Sequence, residues 1–237
     1  MLQQALLKAS SLLFPTECEI CGAFLNSAEN PGVCASCRGK IRRISDPFCG
    51  ICGRPLRTGG GICAFCRVER FHFNRAFACA VYEGAMKELL HAYKFHRRRA
   101  LGELFARMMF EFAAAHMTQE AFDFILPVPM DPEKWVTRGF NASEILSAAL
   151  SKKLGVPHAL FLKRRKSDSP QFQLAKNDRR ENVKGCFWVE GGGRLAGKKL
   201  LLVDDILTTG QTVSECSRVL KKSGASRVTV FACARGA

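Results

Sequence analysis

Two sets of residues in this chain have the types and the spacing to do chemistry. In the stretch from Lys198 to Val213, KKLLLVDDILTTGQTV, the carboxylates Asp204 and Asp205 precede Thr208, Thr209, Gly210, Gln211 and Thr212. Hydroxyls and backbone N–H groups gathered in a turn ahead of a helix make a phosphate site. Gly210 lets the backbone approach the anion closely. Two carboxylates would repel the phosphate itself, but they suit the neutral hydroxyls of a ribose diol one group further along the ligand. The second set is eight cysteines in four Cys-x-x-Cys pairs: Cys18/Cys21, Cys34/Cys37, Cys49/Cys52 and Cys63/Cys66. Such pairs mean thiolate metal ligands in a reducing compartment more often than disulfides. Four thiolates close the tetrahedral shell of Zn²⁺ and leave no position for substrate, so two structural zinc sites are expected. Sequential pairing puts Cys18, Cys21, Cys34 and Cys37 in one site and Cys49, Cys52, Cys63 and Cys66 in the other. Spacing alone leaves interleaved pairing open.

The elements that must position these residues read as an alternation of strands and helices. Phe73–Tyr82, Phe122–Val128, Gly185–Val189, Leu200–Val203 and Arg227–Cys233 are strand-like runs. Between them, Ala85–Lys94, Ala100–His116, Asn141–Leu154 and Val213–Lys222 carry helical periodicity. That order predicts an α/β fold, a parallel sheet flanked by helices, with ligands at the carboxyl ends of the strands. Asp204 and Asp205 are read as standing at such an end, and so is the turn Pro127-Val128-Pro129. The segment from Pro127 to Asn141, PVPMDPEKWVTRGFN, is read as a loop whose Lys134, Arg138 and Gly139 suit a diphosphate. The segment from Leu162 to Gly185 is long, polar and basic. Its Lys163, Arg164, Arg165, Lys166, Arg179 and Arg180 are placed to close over an anion.

Composition sets the frame. The 237 residues carry a net charge of +15, with most of the excess after residue 70, and this favours anionic partners such as sugar phosphates or nucleic acid. A module of residues 1–70, a helix and a double zinc ribbon, precedes a larger unit of residues 71–237. The cysteine-rich first part is too poor in large apolar side chains to fold without metal. Leu2, Ala5, Leu6, Leu12 and Leu13 mark an amphipathic amino-terminal helix. No apolar run is long enough for a transmembrane helix, and a cytoplasmic location with no membrane insertion is expected. Cys79, Cys186, Cys216 and Cys233 lie in apolar runs and read as packed small side chains.

The stretch Val203–Thr212 resembles the phosphoribosyl pyrophosphate (PRPP) motif of type I phosphoribosyltransferases. With the four cysteine pairs, the segment EGAMKELLHAYKF, the loop PVP…RGFN and the basic loop Q…L…RRENV, the chain resembles the ComF family over nearly its whole length. That resemblance implies a type I phosphoribosyltransferase-like domain behind an amino-terminal double zinc ribbon. It also implies a link to natural competence, in which DNA enters bacterial cells as a single strand, and thereby to the competence machinery. Carried over residue by residue, Asp204 and Asp205 face the ribose hydroxyls, and Val203 belongs to the same motif. Thr208, Thr209, Gly210, Gln211 and Thr212 wrap the 5′-phosphate. Arg138 and Gly139 serve the pyrophosphate, with Mg²⁺ accompanying PRPP. Asp204, Asp205 and Arg138 are the expected catalytic residues. Three departures from the family pattern concern the acceptor side: Ala142 for a common Gln, Asp168 for a common Thr, and no glycine after the aromatic in Lys94-Phe95-His96-Arg97. Two functions follow: a module binding PRPP or a ribose phosphate and single-stranded DNA, or an active phosphoribosyltransferase. No residue stands out as the acid or base for a particular nucleobase. For the DNA reading, Lys94, Arg97, Arg98 and Arg99 form a basic surface with Arg38, Lys40, Arg42 and Arg43. Phe95, Trp135, Phe140 and Phe172 are the aromatics placed to stack bases.

Overall fold

Each cysteine pair turns the chain tightly, and short pieces of regular structure grow from those turns. In the computed structural model, which describes residues 16–25, 32–166, 185–191 and 193–236, strand β1 (Thr16–Glu17) pairs with β2 (Phe24–Leu25) around the first pair. Helix α1 (Ala35–Gly39) starts at Cys34 and α2 (Ala64–Val68) starts at Cys63. The expected amino-terminal helix, Asp168, Phe172, Arg179 and Arg180 lie outside the described residues.

The body is built from β3 (Arg75–Val81), α3 (Gly84–Phe95), α4 (Leu101–His116), β4 (Phe124–Pro127), α5 (Pro132–Arg138), α6 (Ala142–Leu154), β5 (Leu162–Arg164), β6 (Phe187–Val189), β7 (Lys199–Leu207), α7 (Gln211–Lys222) and β8 (Arg227–Arg235). Four strands form a parallel sheet in the order β3–β8–β7–β4. Strand β8 is buried along almost its whole length, because helices cover both faces of the sheet. Helix α4 packs on β3 and β8, α6 on β4 and β7, and α7 on β7 and β8. Cys79, Cys186, Cys216 and Cys233 are buried, as expected of small packed side chains.

Three segments depart from their sequence reading. The run near Gly185–Val189 is not a strand of the main sheet: β6 pairs antiparallel with β5 in a separate two-stranded ribbon. Strand β7 does not stop before the acids. It continues through them to Leu207, because the β8 ladder runs alongside as far as Arg235 and holds Ile206 and Leu207 in register. The Pro127–Asn141 connection is not a plain loop. Asp131 caps α5 by accepting from the Glu133 N–H at 3.0 Å, Pro132 opens the helix, and Gly139 ends it at φ 71°.

The cysteine-rich part is sewn to the sheet edge. The Val81 N–H donates to the Arg42 carbonyl at 2.9 Å and the Ile44 N–H to the Cys79 carbonyl at 3.0 Å, which adds residues 42–44 beside β3. Phe48 packs edge-on to Phe77, and both meet Phe112. Ribbon and body therefore share one core.

Arg97 holds φ 56°, a left-handed conformation that favours glycine. It stands after the aromatic Phe95, where the family resemblance leads one to look for glycine. Arg97→Gly is expected to raise stability by about 0.5–1 kcal/mol in denaturant titration, since relief of the Cβ clash exceeds the added chain entropy.

Candidate ribose-phosphate site and zinc centres

Successive side chains of a strand leave the backbone in alternating directions. Asp204 and Asp205, adjacent on β7, therefore find different partners. Asp204 accepts from the Ser143 hydroxyl at the start of α6 (2.9 Å) and from the Asp205 N–H (2.9 Å). Asp205 pairs with Lys94 of α3 at 2.7 Å, and both side chains are nearly buried. Burial and then the neighbouring Asp205 charge push the Asp204 carboxyl up to about 7, against the opposing pull of Lys94 and the two hydrogen bonds. One of the two acids thus changes its proton near neutrality.

Beyond the acids, Thr208 and Thr209 are exposed and Gly210 sits at φ 84°, capping α7. Any Cβ at Gly210 would lie 3.0 Å from the Phe71 ring, so glycine is required for both conformation and space. The first turn of α7 holds no acid and has no side-chain cap, so its positive end is open to an anion. Gln211 and Thr212 are half-buried there, and the Gln211 amide reaches Glu69 at 3.3 Å. Val203 differs from its expected role. Its side chain is fully buried and its carbonyl accepts from the Val128 N–H at 2.8 Å, so it belongs to the sheet and offers a ligand nothing.

The RGFN segment divides its work. Arg138 lies over the Phe95 ring at 4.7 Å, while Gly139 ends α5 and its carbonyl accepts from Arg99 at 2.9 Å. Phe140 is buried against Tyr93, which removes it from the base-stacking aromatics. Asn141 caps α6 and ties it to the Val128 carbonyl at 3.0 Å. Lys134 is held below the ordinary lysine range by desolvation and then by the charges of Arg138 and Arg164. Arg164 pairs with Asp131 at 2.6 Å and steadies the amino end of α5.

Lys94 is misplaced in the sequence reading. It leaves the expected basic surface and turns inward to Asp205. The signal was available: Lys94 follows Met86, Leu89, Leu90 and Tyr93 on the buried stripe of α3, where a cation needs a partner. Arg235, at the end of an apolar strand, carries no local sequence signal of its role. It is 1% exposed, donates to the carbonyls of Leu207 (2.7 Å), Gly236 (3.0 Å) and Cys52 (3.2 Å), and also donates to that of Thr208.

The cysteines gather as two tetrads, Cys18/Cys21/Cys34/Cys37 and Cys49/Cys52/Cys63/Cys66, with the ligand atoms of each within 4.8 Å of one another. Pairing is sequential, not interleaved. Sγ···Sγ distances of 3.8 Å (Cys21 to Cys34) and 3.7 Å (Cys52 to Cys63) fit a tetrahedron with Zn–S bonds of about 2.3 Å, whose edges are about 3.8 Å. The amide N–H of Cys34 donates to the Cys18 sulfur and that of Cys63 to the Cys49 sulfur, both at 3.4 Å. Burial works against the Cys18 thiolate, but the backbone amides of Cys21, Cys34 and Ile20 outweigh it and hold its pKa at about 6. Both sets thus fit Zn²⁺; in each the first thiolate, Cys18 or Cys49, is stabilised from the backbone against its burial, while burial and the neighbouring thiols push Cys37 and Cys66 up. Metal analysis of the purified protein should return about two zinc ions per chain. Cys34→Ser should lower this to about one and cost solubility; a value near zero in the unmutated protein would refute the assignment.

Residues 9–67 match the double zinc ribbon domain family, and residues 141–237 match the phosphoribosyl transferase domain family. Competence protein F of Haemophilus influenzae is 29% identical over 228 residues, covering 94% of this chain and 98% of that protein. DNA utilization protein YhgH of Escherichia coli O157:H7 is 29% identical over 223 residues, covering 86% and 97%. Competence protein ComFC of Bacillus subtilis is 27% identical over 208 residues, covering 84% and 82%. With two cysteine tetrads ahead of a helix-covered parallel sheet, the chain is a homologue of the ComF family proteins, a double zinc ribbon joined to a phosphoribosyl transferase domain.

Proposed function

We propose that this chain binds PRPP or another ribose 5-phosphate with Mg²⁺ and handles single-stranded DNA during natural transformation. The observation that carries the reading is the cluster Ser143–Asp204–Asp205–Lys94 standing beside the open amino end of α7. In this reading the two acids take the ribose diol, and Thr208, Thr209, Gly210 and the first amides of α7 take the 5′-phosphate. Lys134, Arg138 and Arg164 supply positive charge for a pyrophosphate. Mg²⁺, which prefers oxygen ligands and keeps company with substrate phosphates, would neutralise the remaining charge. Residues 71–237 hold the ligand, and residues 1–70 form the zinc-bearing part that buttresses them.

The DNA part draws on the relatives' names, competence and DNA utilization, and on the net charge of +15. The work belongs in a reducing compartment, the cytoplasm, where free thiols persist. No helix among the described residues is long and apolar enough to cross a membrane.

Calorimetric titration with ribose 5-phosphate, and with PRPP plus Mg²⁺, tests the ligand. Absence of heat with both would overturn the assignment. Affinity for an oligodeoxynucleotide at two salt concentrations tests the strand contact, and a response flat in salt would exclude phosphate-driven binding.

One observation favours active transfer as a second reading. A carboxyl group near 7, as Asp204 is, suits proton exchange with an attacking nitrogen at neutral pH. Pyrophosphate release from PRPP across a panel of bases decides between the two, and silence with every base would leave the binding reading.

A further inference from the structure

A second concavity opens at the far edge of the sheet; it shares Arg164 with the pyrophosphate cations and is otherwise lined by residues that the ribose-phosphate site does not use. It has a volume of about 250 Å³ and is bounded by Pro129, Trp135, Glu144, Leu160, Arg164 and Trp188. Both tryptophans of the chain line it. They are 51% and 43% exposed, and Leu160 beside them is 45% exposed. Large apolar side chains left open around one cavity mark a binding surface. The size falls below the clefts of about 300–1,000 Å³ that hold drug-sized ligands, and it suits a single planar ring system.

The walls are fixed by the fold. Trp135 rides on α5, whose capping residue Asp131 is locked to Arg164 of β5 at 2.6 Å. Trp188 stands on β6, directly across the ladder from Lys163. Arg164 is steadied further by the Phe187 ring at 5.4 Å. The two indoles are therefore held by neighbouring, mutually braced elements. The polar contribution comes from Glu144 of α6, whose carboxylate makes no hydrogen bond or ion pair among the described residues. A carboxylate accepts from the amino group of a base. Lys163, which pairs with the exposed Glu190 at 3.3 Å, and Arg164, held by Asp131, border the cavity where a phosphate attached to that ring would compete for them.

The geometry points to a nucleobase pocket: an amino-bearing base stacks on Trp135 and Trp188, presents its N–H edge to Glu144, and leaves its phosphate to Lys163 and Arg164. The shared chemistry is the base with its phosphate, and the source is either a free nucleotide or an unpaired base of single-stranded DNA. This goes beyond the ribose-phosphate reading, because none of the acids and threonines of that site takes part.

The two tryptophans are the natural reporters. The full-length zinc-loaded protein is titrated with dCMP, with an oligodeoxycytidylate of about ten nucleotides, and with an abasic strand of the same length, all without ribose 5-phosphate. Saturable quenching by dCMP assigns the pocket to free nucleotides. Quenching by the oligodeoxycytidylate alone assigns it to the strand. Silence with both, or equal quenching by the abasic strand, overturns the pocket. Trp135→Phe and Trp188→Phe each leave one reporter, and both proteins should still respond; a response from only one would overturn the paired stacking. Trp188→Ala should weaken binding roughly tenfold or more, with zinc content confirming that the protein is folded. Glu144→Gln should weaken dCMP binding while leaving the heat of ribose 5-phosphate binding unchanged. Failure here and failure of the ribose-phosphate reading are thus read by different signals.

Discussion

The Asp204→Asn protein is expected to bind ribose 5-phosphate about a hundredfold more weakly and yet to melt at a higher temperature at pH 8. The first effect follows from chemistry at the diol: an ionised carboxylate accepts from a hydroxyl with about 1.5–3 kcal/mol of net benefit, which an amide oxygen does not match. The second follows from where the acid sits. Burial and the Asp205 charge raise the Asp204 carboxyl to about 7, against 3.8 for an ordinary aspartate. Between about 4 and 7 the folded protein holds a proton that the unfolded chain has lost. Stability therefore falls as pH rises through that window, by an amount on the order of a few kcal/mol, and stays low above it. An asparagine keeps the oxygen that accepts from Ser143 and from the Asp205 N–H, but it never ionises. Its advantage should be small near pH 4, grow with pH and level off above about 7. Each kcal/mol gained is worth about 2–4 °C in a chain of this size. Melting curves from pH 4 to 8 check the stability, and calorimetry checks the affinity. The double change Asp204→Ala plus Asp205→Ala should remove ribose-phosphate binding altogether while leaving the zinc content intact. Unaltered affinity, or an asparagine protein that is no more stable at pH 8, would show that the acids do not form a strained binding pair.

The other large effect is expected at Arg235. Arg235→Met should destabilise the protein by about 3–5 kcal/mol, weaken zinc binding at the second tetrad and disorder the Thr208–Gly210 turn, all from one substitution. The guanidinium is buried and serves four carbonyls: Cys52 in the second zinc ribbon, Leu207 and Thr208 at the end of β7, and Gly236. Removing it leaves the buried Cys52 carbonyl without this donor and the Leu207 carbonyl with only the Gly236 N–H, and it releases the Thr208 and Gly236 carbonyls. It also removes a counter-charge, since Zn²⁺ on four thiolates carries a net charge of about −2. Arg235 already stabilises the Cys52 thiolate by its charge, although burial raises that thiol overall. Arg235→Lys should not rescue, because one ammonium has no planar fork to reach carbonyls on two sides. Denaturant titration and competition by a zinc chelator read the two arms.

The second tetrad touches the Thr208–Gly210 turn and the start of α7 by further routes. Phe71 packs between Phe65 and Gly210, Gln211 bonds Glu69, and the His72 N–H donates to the Ser214 hydroxyl at 3.0 Å. The first tetrad instead leans on the α3–α4 link, through Glu19 and Arg98 at 3.1 Å. Cys63→Ser should therefore abolish ribose 5-phosphate binding, whereas a folded fraction of Cys34→Ser should retain it. Equal losses in both would mean that the zinc centres act only on global stability.

Much of this molecule is local and therefore legible in its residues. The thiol pairs specify two four-sulfur sites, because a ligand set needs only residue types and short spacings, and the tetrads form in sequential order. The alternating periodicities specify a parallel sheet between helices, and Gly210 ahead of an amphipathic helix specifies an open helix amino end. What depends on long-range packing was decided only in three dimensions. Strand β7 runs past its acids because β8, whose register partners lie 28 residues later, supplies the ladder. Lys94 meets the acid pair because α3 delivers it to Asp205 across 111 positions of sequence, 2.7 Å away in space. Arg235 joins a zinc ribbon to the Thr208–Gly210 turn, 183 residues from its Cys52 partner. No periodicity records such pairs: a lone cation at the end of an apolar run has the same local pattern whether it faces water or a buried partner, and only the closed tertiary structure sets which one it meets.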